Sequence, residues 1–349
     1  MSIQSITLEF RVYAIFLMLS GILAVSGCQT PTVPQPVPQQ QQPALAPPKS
    51  SLPAPLPGAQ ANPPPQFSEE VLKLQIFLDS KNFGPGLIDG RKGGFTNKVT
   101  QAYESLYGPI PPASLQSISP YTSYKIRTED LARIGKMADS PQEIARQRSQ
   151  PYTELIAFLA ERYHTSRAFL RQINAGVDFA QLRAGDSVNV PNVRAPFEIE
   201  NYAPASKTPP DPMRKNRSVQ IDTRIRLLKV LDSNQVIAVF PITPGSSERP
   251  APIGSWVIQG IAAMPWYRYD KGVLSQGIRT SNFFMLPPGP RSPVGILWAG
   301  LNKPAIGIHG SRTPETIGRS ASAGCIRLSN WDAARFRELV TVGNTVVIQ

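Results

Sequence analysis

Residues 308–328, IHGSRTPETIGRSASAGCIRL, hold one of the chain's two histidines and one of its two cysteines. His309 and Cys325 stand sixteen positions apart. A thiol becomes a strong nucleophile as the thiolate, and an imidazole beside it can take its proton. His309 is the candidate partner, because the other histidine, His164, lies in a different segment. Cys325 sits in a tight S-x-G-C-I-R turn formed by Ser322, Gly324, Cys325, Ile326 and Arg327. Gly324 lets the backbone bend so that successive amides face one point, as an oxyanion hole requires. With two histidines and no cysteine cluster, no metal site is expected, and no cofactor.

I-H-G-S followed by S-A-G-C-I-R-L resembles the catalytic segment of the L,D-transpeptidases, the YkuD domain family. These are bacterial cell-wall enzymes with a cysteine nucleophile. The likeness covers roughly residues 218–349, including L-P-P-G-P ahead of P-V-G-I-L-W-A-G-L and a terminal V-V-I strand. It implies Cys325 as nucleophile and His309 as proton acceptor and donor. The imidazole's second nitrogen is then oriented by the Gly310 carbonyl or by the Ser311 hydroxyl. The amides of Gly324 and Cys325 would hold the oxyanion, and Arg327, Ser322, Ser311 and Trp298 would contact substrate. Arg327 has two readings, a clamp on a stem carboxylate or a brace for the turn.

The implied reaction is attack of Cys325 on a peptidoglycan tetrapeptide stem, loss of D-alanine, and transfer of the acyl group to an amine. The acceptor is another stem or a lysine of an outer-membrane lipoprotein. Many relatives carry histidine where this chain has Ala323, so no role can be transferred to that position. Two alternatives remain: a non-catalytic, lipid-anchored peptidoglycan-binding tether, and a hydrolase of the same family, an L,D-carboxypeptidase or amidase.

The elements that must position these residues are spread over 349 residues, enough for two or three small domains. The net charge of +12 suits solubility or an anionic partner. No basic helix or stacking motif points to nucleic acid, whereas acidic stem peptides fit. Residues 12–25 are an apolar run too short for a comfortable membrane span. With V-S-G-C behind it, residues 1–27 read as a lipoprotein signal peptide and Cys28 as the lipidated first residue. A lipidated Cys28 leaves Cys325 without a disulfide partner. The Pro/Gln-rich stretch 28–66 reads as a disordered tether. Gln29 is not the aspartate that retains enteric lipoproteins in the inner membrane. The expected location is therefore the periplasm of a Gram-negative bacterium, anchored to the membrane and preferably to the outer one.

Residues 67–110 read as helix, I-D-G loop, helix, and resemble a peptidoglycan-binding domain. Residues 120–195 resemble a LysM module, a binder of glycan strands, with A-G-D-x-x-x-V-P at its end. His164 reads as a surface or capping residue, and 129–137 and 141–149 read as helices. From 215 to 349, many short alternating strands with Gly/Pro turns predict a mainly β catalytic domain. It is expected to be sandwich- or barrel-like, with one helix capped by Asn330 and a Cys-bearing loop. The aromatic stretch 261–300 reads either as core or as a wall over the thiol.

Overall fold

The computed structural model describes residues 65–320 and 322–349. Cys28, the signal segment and all but the last two residues of the tether lie outside them. The chain starts with α1 (Glu69–Ser80), α2 (Gly94–Tyr107) and α3 (Pro112–Gln116). Ser68 caps α1 by accepting from the Val71 amide. Gln75 of α1 organises the I-D-G loop. Its side-chain oxygen accepts from the amides of Asp89 and Gly90, and its nitrogen donates to Arg91 O and Thr96 Oγ1.

Next come β1 (Tyr121–Lys125), α4 (Thr128–Leu131), α5 (Pro141–Ile144), α6 (Leu155–Arg162), α7 (Arg167–Ile173) and β2 (Ser187–Pro191). β1 and β2 pair antiparallel across the intervening helices. α4 and α5 are single turns, much shorter than their sequence suggests. Each carries only one buried residue, Asp130 and Ile144, so packing does not prolong them beyond their caps.

The remainder supplies β3 (Ser206–Lys207), β4 (Arg217–Asp222), β5 (Leu227–Asp232), β6 (Gln235–Pro241), β7 (Gly254–Ala263) and β8 (Tyr267–Asp270). These are followed by α8 (Lys271–Gln276), β9 (Phe283–Leu286), β10 (Leu297–Leu301), β11 (Gly307–His309), β12 (Ile326–Arg327), α9 (Asn330–Leu339) and β13 (Thr345–Ile348). Among the described residues, one mixed nine-stranded sheet runs β12-β11-β10-β7-β13-β4-β5-β6, with β3 beside β7. The ten-residue β7 joins its two halves, pairing with β13 through Gly254–Val257 and with β10 through Ile258–Ala263. The sheet curls until its ends meet. Thr243, just past β6, exchanges two backbone hydrogen bonds of 2.9 Å with Arg327 of β12. The expected sandwich- or barrel-like domain is thus a single curled sheet closed by one seam.

The helical pieces share the core of this sheet. Leu72 and Ile76 of α1, Leu159 of α6, Ile221 of β4 and Phe336 of α9 belong to one apolar cluster. Fully burying a side chain of this size contributes about 1.5–3 kcal/mol. Phe77, Leu78 and Phe83 pack on Leu227 and Val239 in a second cluster. The chain after α1 also covers the β6 edge, where the Gly84 amide donates to Val239 O and the Val239 amide to Asn82 O. An open edge would invite strand pairing with other chains.

His164 is not at the surface. It is buried, with a left-handed backbone (φ 54°), and its Nδ1 lies 3.0 Å from Asp79 of α1. Asp79 also takes two 2.7 Å bonds from Arg335 of α9. The His164 ring stacks on Trp331 at 5.4 Å. The physical reason is pairing: a buried carboxylate needs partners, and α6–α7 and α9 each supply one.

Candidate active site

β11 and β12 run parallel, with Ile308 opposite Ile326 and His309 opposite Arg327. Ile308 and Ile326 are fully buried in the core, so alternation turns His309 and Arg327 to the other face. Cys325 immediately precedes β12 and lies level with Gly307. Its sulfur receives the Gly307 amide and points at Ala305 O, 3.6 Å away. Cys325 and His309 therefore rise from neighbouring chain segments, two residues apart along the strand direction, about 8 Å between Cα atoms by strand spacing.

His309 is buried, and its Nδ1 lies 2.7 Å from Gly310 O. A carbonyl only accepts, so Nδ1 carries the proton and Nε2 of the neutral ring is bare. Burial pushes the imidazole down to about 4, assisted by the Arg327 charge and resisted by the Gly310 carbonyl. Burial likewise pushes the Cys325 thiol up, against the pull of the Gly307 amide, Arg327 and Arg249. At neutral pH both partners are uncharged. The reading that His309 takes the proton during attack fits this state better than a preformed thiolate.

Trp298 of β10 stands opposite His309, and its ring stacks on the imidazole at 5.6 Å and 22°. Glycines make room for the indole. A Cβ on Gly307 would lie 2.8 Å from Trp298 Cζ2, and one on Gly300 would lie 3.0 Å from Trp298 Nε1. The contact found for Trp298 is with the imidazole.

Ser322 Oγ donates to Cys325 O at 2.5 Å, which tightens the turn. Gly324 has φ 101°, a conformation that disfavours any side chain. Among the described residues no acceptor is found for the amides of Gly324 and Cys325. The Ser311 hydroxyl accepts from the Thr313 amide rather than holding His309, so Gly310 is the residue that meets the imidazole. Arg327 is half-buried, and its charge is felt by both Cys325 and His309.

Several residues at the site carry no motif. Tyr267 of β8 is near enough for Cys325 and Arg327 to act on its phenol, which burial pushes up. Arg249 donates to the carbonyls of Val273, at 2.8 Å, and Leu274. It thereby fastens the loop beside the Cys turn to the hairpin of β8, α8 and β9. The richness of residues 261–300 in aromatics was the only sequence signal for Tyr267.

Asn330 is not a cap. Ser329 caps α9 by accepting from the Asp332 amide, which leaves the Asn330 side chain for other bonds. Asn330 Oδ1 accepts from the Ile296 and Ser311 amides, and its Nδ2 donates to Glu161 and Pro290 O.

A half-buried thiol level with a backbone amide, a neutral imidazole fixed in one tautomer and a tight glycine turn can carry cysteine-dependent acyl transfer. Residues 216–348 match the YkuD family model, described as the L,D-transpeptidase catalytic domain. The chain thus carries an L,D-transpeptidase catalytic domain and is an enzyme of that kind. YkuD of Bacillus licheniformis, which bears an L,D-transpeptidase name, is 27% identical over 195 residues, spanning 56% of this chain and 93% of that protein. YkuD of Bacillus subtilis is 26% identical over 190 residues, 54% of this chain and 90% of its own. A solved L,D-transpeptidase from Mycobacterium smegmatis aligns at 16% identity and a TM-score of 0.31, covering 50% of this chain and 80% of that one.

Proposed function

We propose that the protein is a peptidoglycan L,D-transpeptidase working through a thioester on Cys325. The observation that carries this reading is the 2.7 Å bond from His309 Nδ1 to Gly310 O, which leaves Nε2 free to take a proton beside the strand that follows the thiol. As Sγ bonds to the carbonyl carbon of the third stem residue, its proton passes to Nε2. The oxyanion is held by the amides of Gly324 and Cys325, a type of donor whose loss costs about 3–4 kcal/mol of barrier. The C–N bond to D-alanine then breaks, and Nε2 returns the proton to the leaving amine. An acceptor amine attacks the thioester and frees the thiol. Ser322 braces the turn, Trp298 backs the imidazole, and Arg327 supplies positive charge for a stem carboxylate. Ser311 contributes through the loop that carries Gly310.

The helical piece 67–110 and the β1–α6–α7–β2 piece serve as wall-contacting modules. Lipid on Cys28 tethers the protein to the outer membrane from the periplasmic side. The acceptor is another stem or a lipoprotein lysine. Purified protein incubated with tetrapeptide muropeptides should release D-alanine, read by mass spectrometry, and Cys325→Ala should abolish the release. Binding with no mass change in the unmodified protein would instead support the tether.

A further inference from the structure

We propose that Asn330, held in turn by Glu161 of α6, is a positioning residue for His309, acting through the Gly310–Ser311 peptide. That one peptide group is gripped at both ends. Its carbonyl accepts from His309 Nδ1 at 2.7 Å, and its N–H donates to Asn330 Oδ1 at 3.2 Å. The unit is planar and trans, so fixing the N–H fixes the direction of the C=O. The fit is close, because a Cβ on Gly310 would lie 2.3 Å from Asn330 Oδ1, and one on Gly295 would lie 2.0 Å from it.

Asn330 could in principle present either face of its amide. Glu161 decides which. Its Oε1 accepts from Asn330 Nδ2 and from Tyr152 OH, both at 2.8 Å, and an acceptor at that place admits only the NH2 end. Pro290 O, 3.2 Å from Nδ2, takes the second proton. Asn330, Glu161 and Tyr152 are all buried, so water offers no substitute. Burial pushes the Glu161 carboxyl up to about 7, and both of its protonation states retain an accepting oxygen. The relay runs from Tyr152 through Glu161, Asn330 and Ser311 N–H to Gly310 O and the imidazole. By this route α6, outside the catalytic domain, enters the geometry of the catalytic base.

The inference rests on the proposed role of His309, but its test needs no wall substrate. In the full chain, nitrogen-15 spectra of the two histidines report which ring nitrogen is protonated, with the His309 signals assigned by their loss in His309→Gln. Iodoacetamide labelling of Cys325 at pH 8, resolved by peptide mass spectrometry, reports the base-assisted thiol. Asn330→Ala is expected to give a mixed His309 tautomer and at least about tenfold slower labelling, since a wrong tautomer disables a catalytic histidine. A folded Asn330→Ala protein with the parental tautomer and labelling rate overturns the proposal. If that variant does not fold, Glu161 decides. Glu161→Gln, which keeps an accepting oxygen, should label within about twofold of the parent, and Glu161→Leu should be slower and tautomerically mixed. Equal behaviour of the two Glu161 variants would defeat the idea. Parental spectra and labelling that coexist with a failure to process muropeptides would count against the wall substrate alone.

Discussion

His309 and Cys325 are each neutral at rest, because burial opposes the imidazolium, with the Arg327 charge adding to it against the Gly310 carbonyl, and burial outweighs the Gly307 amide, Arg327 and Arg249 at the thiol. The consequence for rate has a definite sign. Below about 4, His309 is protonated and cannot accept, so acylation of Cys325 by a carbapenem should fall about tenfold per pH unit. Above neutrality the rate should go on rising as the thiol ionises. Mass-spectrometric adduct formation across pH 3–9 tests this expectation. A rate that declines above about pH 8 would show a preformed thiolate–imidazolium pair of the kind seen in low-pKa cysteines. His309→Gln should slow the same reaction by about 10²–10⁴-fold, the usual contribution of general acid–base help.

At the scale of elements, the site lies where the curled sheet closes on itself. The Thr243–Arg327 pairing and the neighbouring bridge between Gly245 and Ser322 set the Cys turn against the end of β6. The row Trp298–His309–Arg327 crosses β10, β11 and β12 in register, and Gly300 and Gly307 leave the space that the indole fills. Gly307→Ala would push a methyl group against Trp298 and Ala299 O. We expect it to cost about 1–3 kcal/mol of stability, as overpacking does. It should also slow Cys325 acylation, because the same residue donates its amide to the sulfur. Denaturant unfolding and adduct kinetics on one preparation check both; full acylation speed with lowered stability would remove Gly307 from the site.

At the scale of the molecule, the helical pieces and the sheet are joined by the buried Asp79–Arg335–His164 group. Asp79 is held well below the usual carboxylate range. Burial alone would raise it, and Arg335 and His164 together outweigh that effect. Its stabilising contribution is present above the unfolded carboxylate value of about 3.9 and is lost as pH falls further. His164 is pushed down by burial, so the unfolded chain takes up its proton first and stability also drops as pH falls below about 6.5. Glu161 has the opposite sign, contributing stability at low pH that is lost as pH rises from about 4.3 toward about 7. Asp79→Ala should destabilise by about 3–5 kcal/mol, since it strands a buried cation. Thermal unfolding should show this loss at pH 7 and a loss smaller by about 1 kcal/mol near pH 3, where the unfolded carboxyl is mostly protonated and the folded one is still ionised, and an equal loss at both would contradict the linkage.

The candidate thiol, the candidate histidine and the glycine turn could be read from the sequence because they lie within one short segment whose chemistry depends on residue type and near spacing. The β character of the last third was legible for the same reason, since alternation is local. The placement of Asn330, Glu161 and His164 was not. Asn330 and Glu161 meet across 169 positions, and His164 and Asp79 across 85. A polar residue at a helix end reads as a cap until its distant partner is seen. By itself the sequence offered the candidate reactive groups and their immediate neighbours along the chain. Only the tertiary structure decided what holds them, because a buried polar group takes its partner from whatever chain folds against it, at any distance along the sequence.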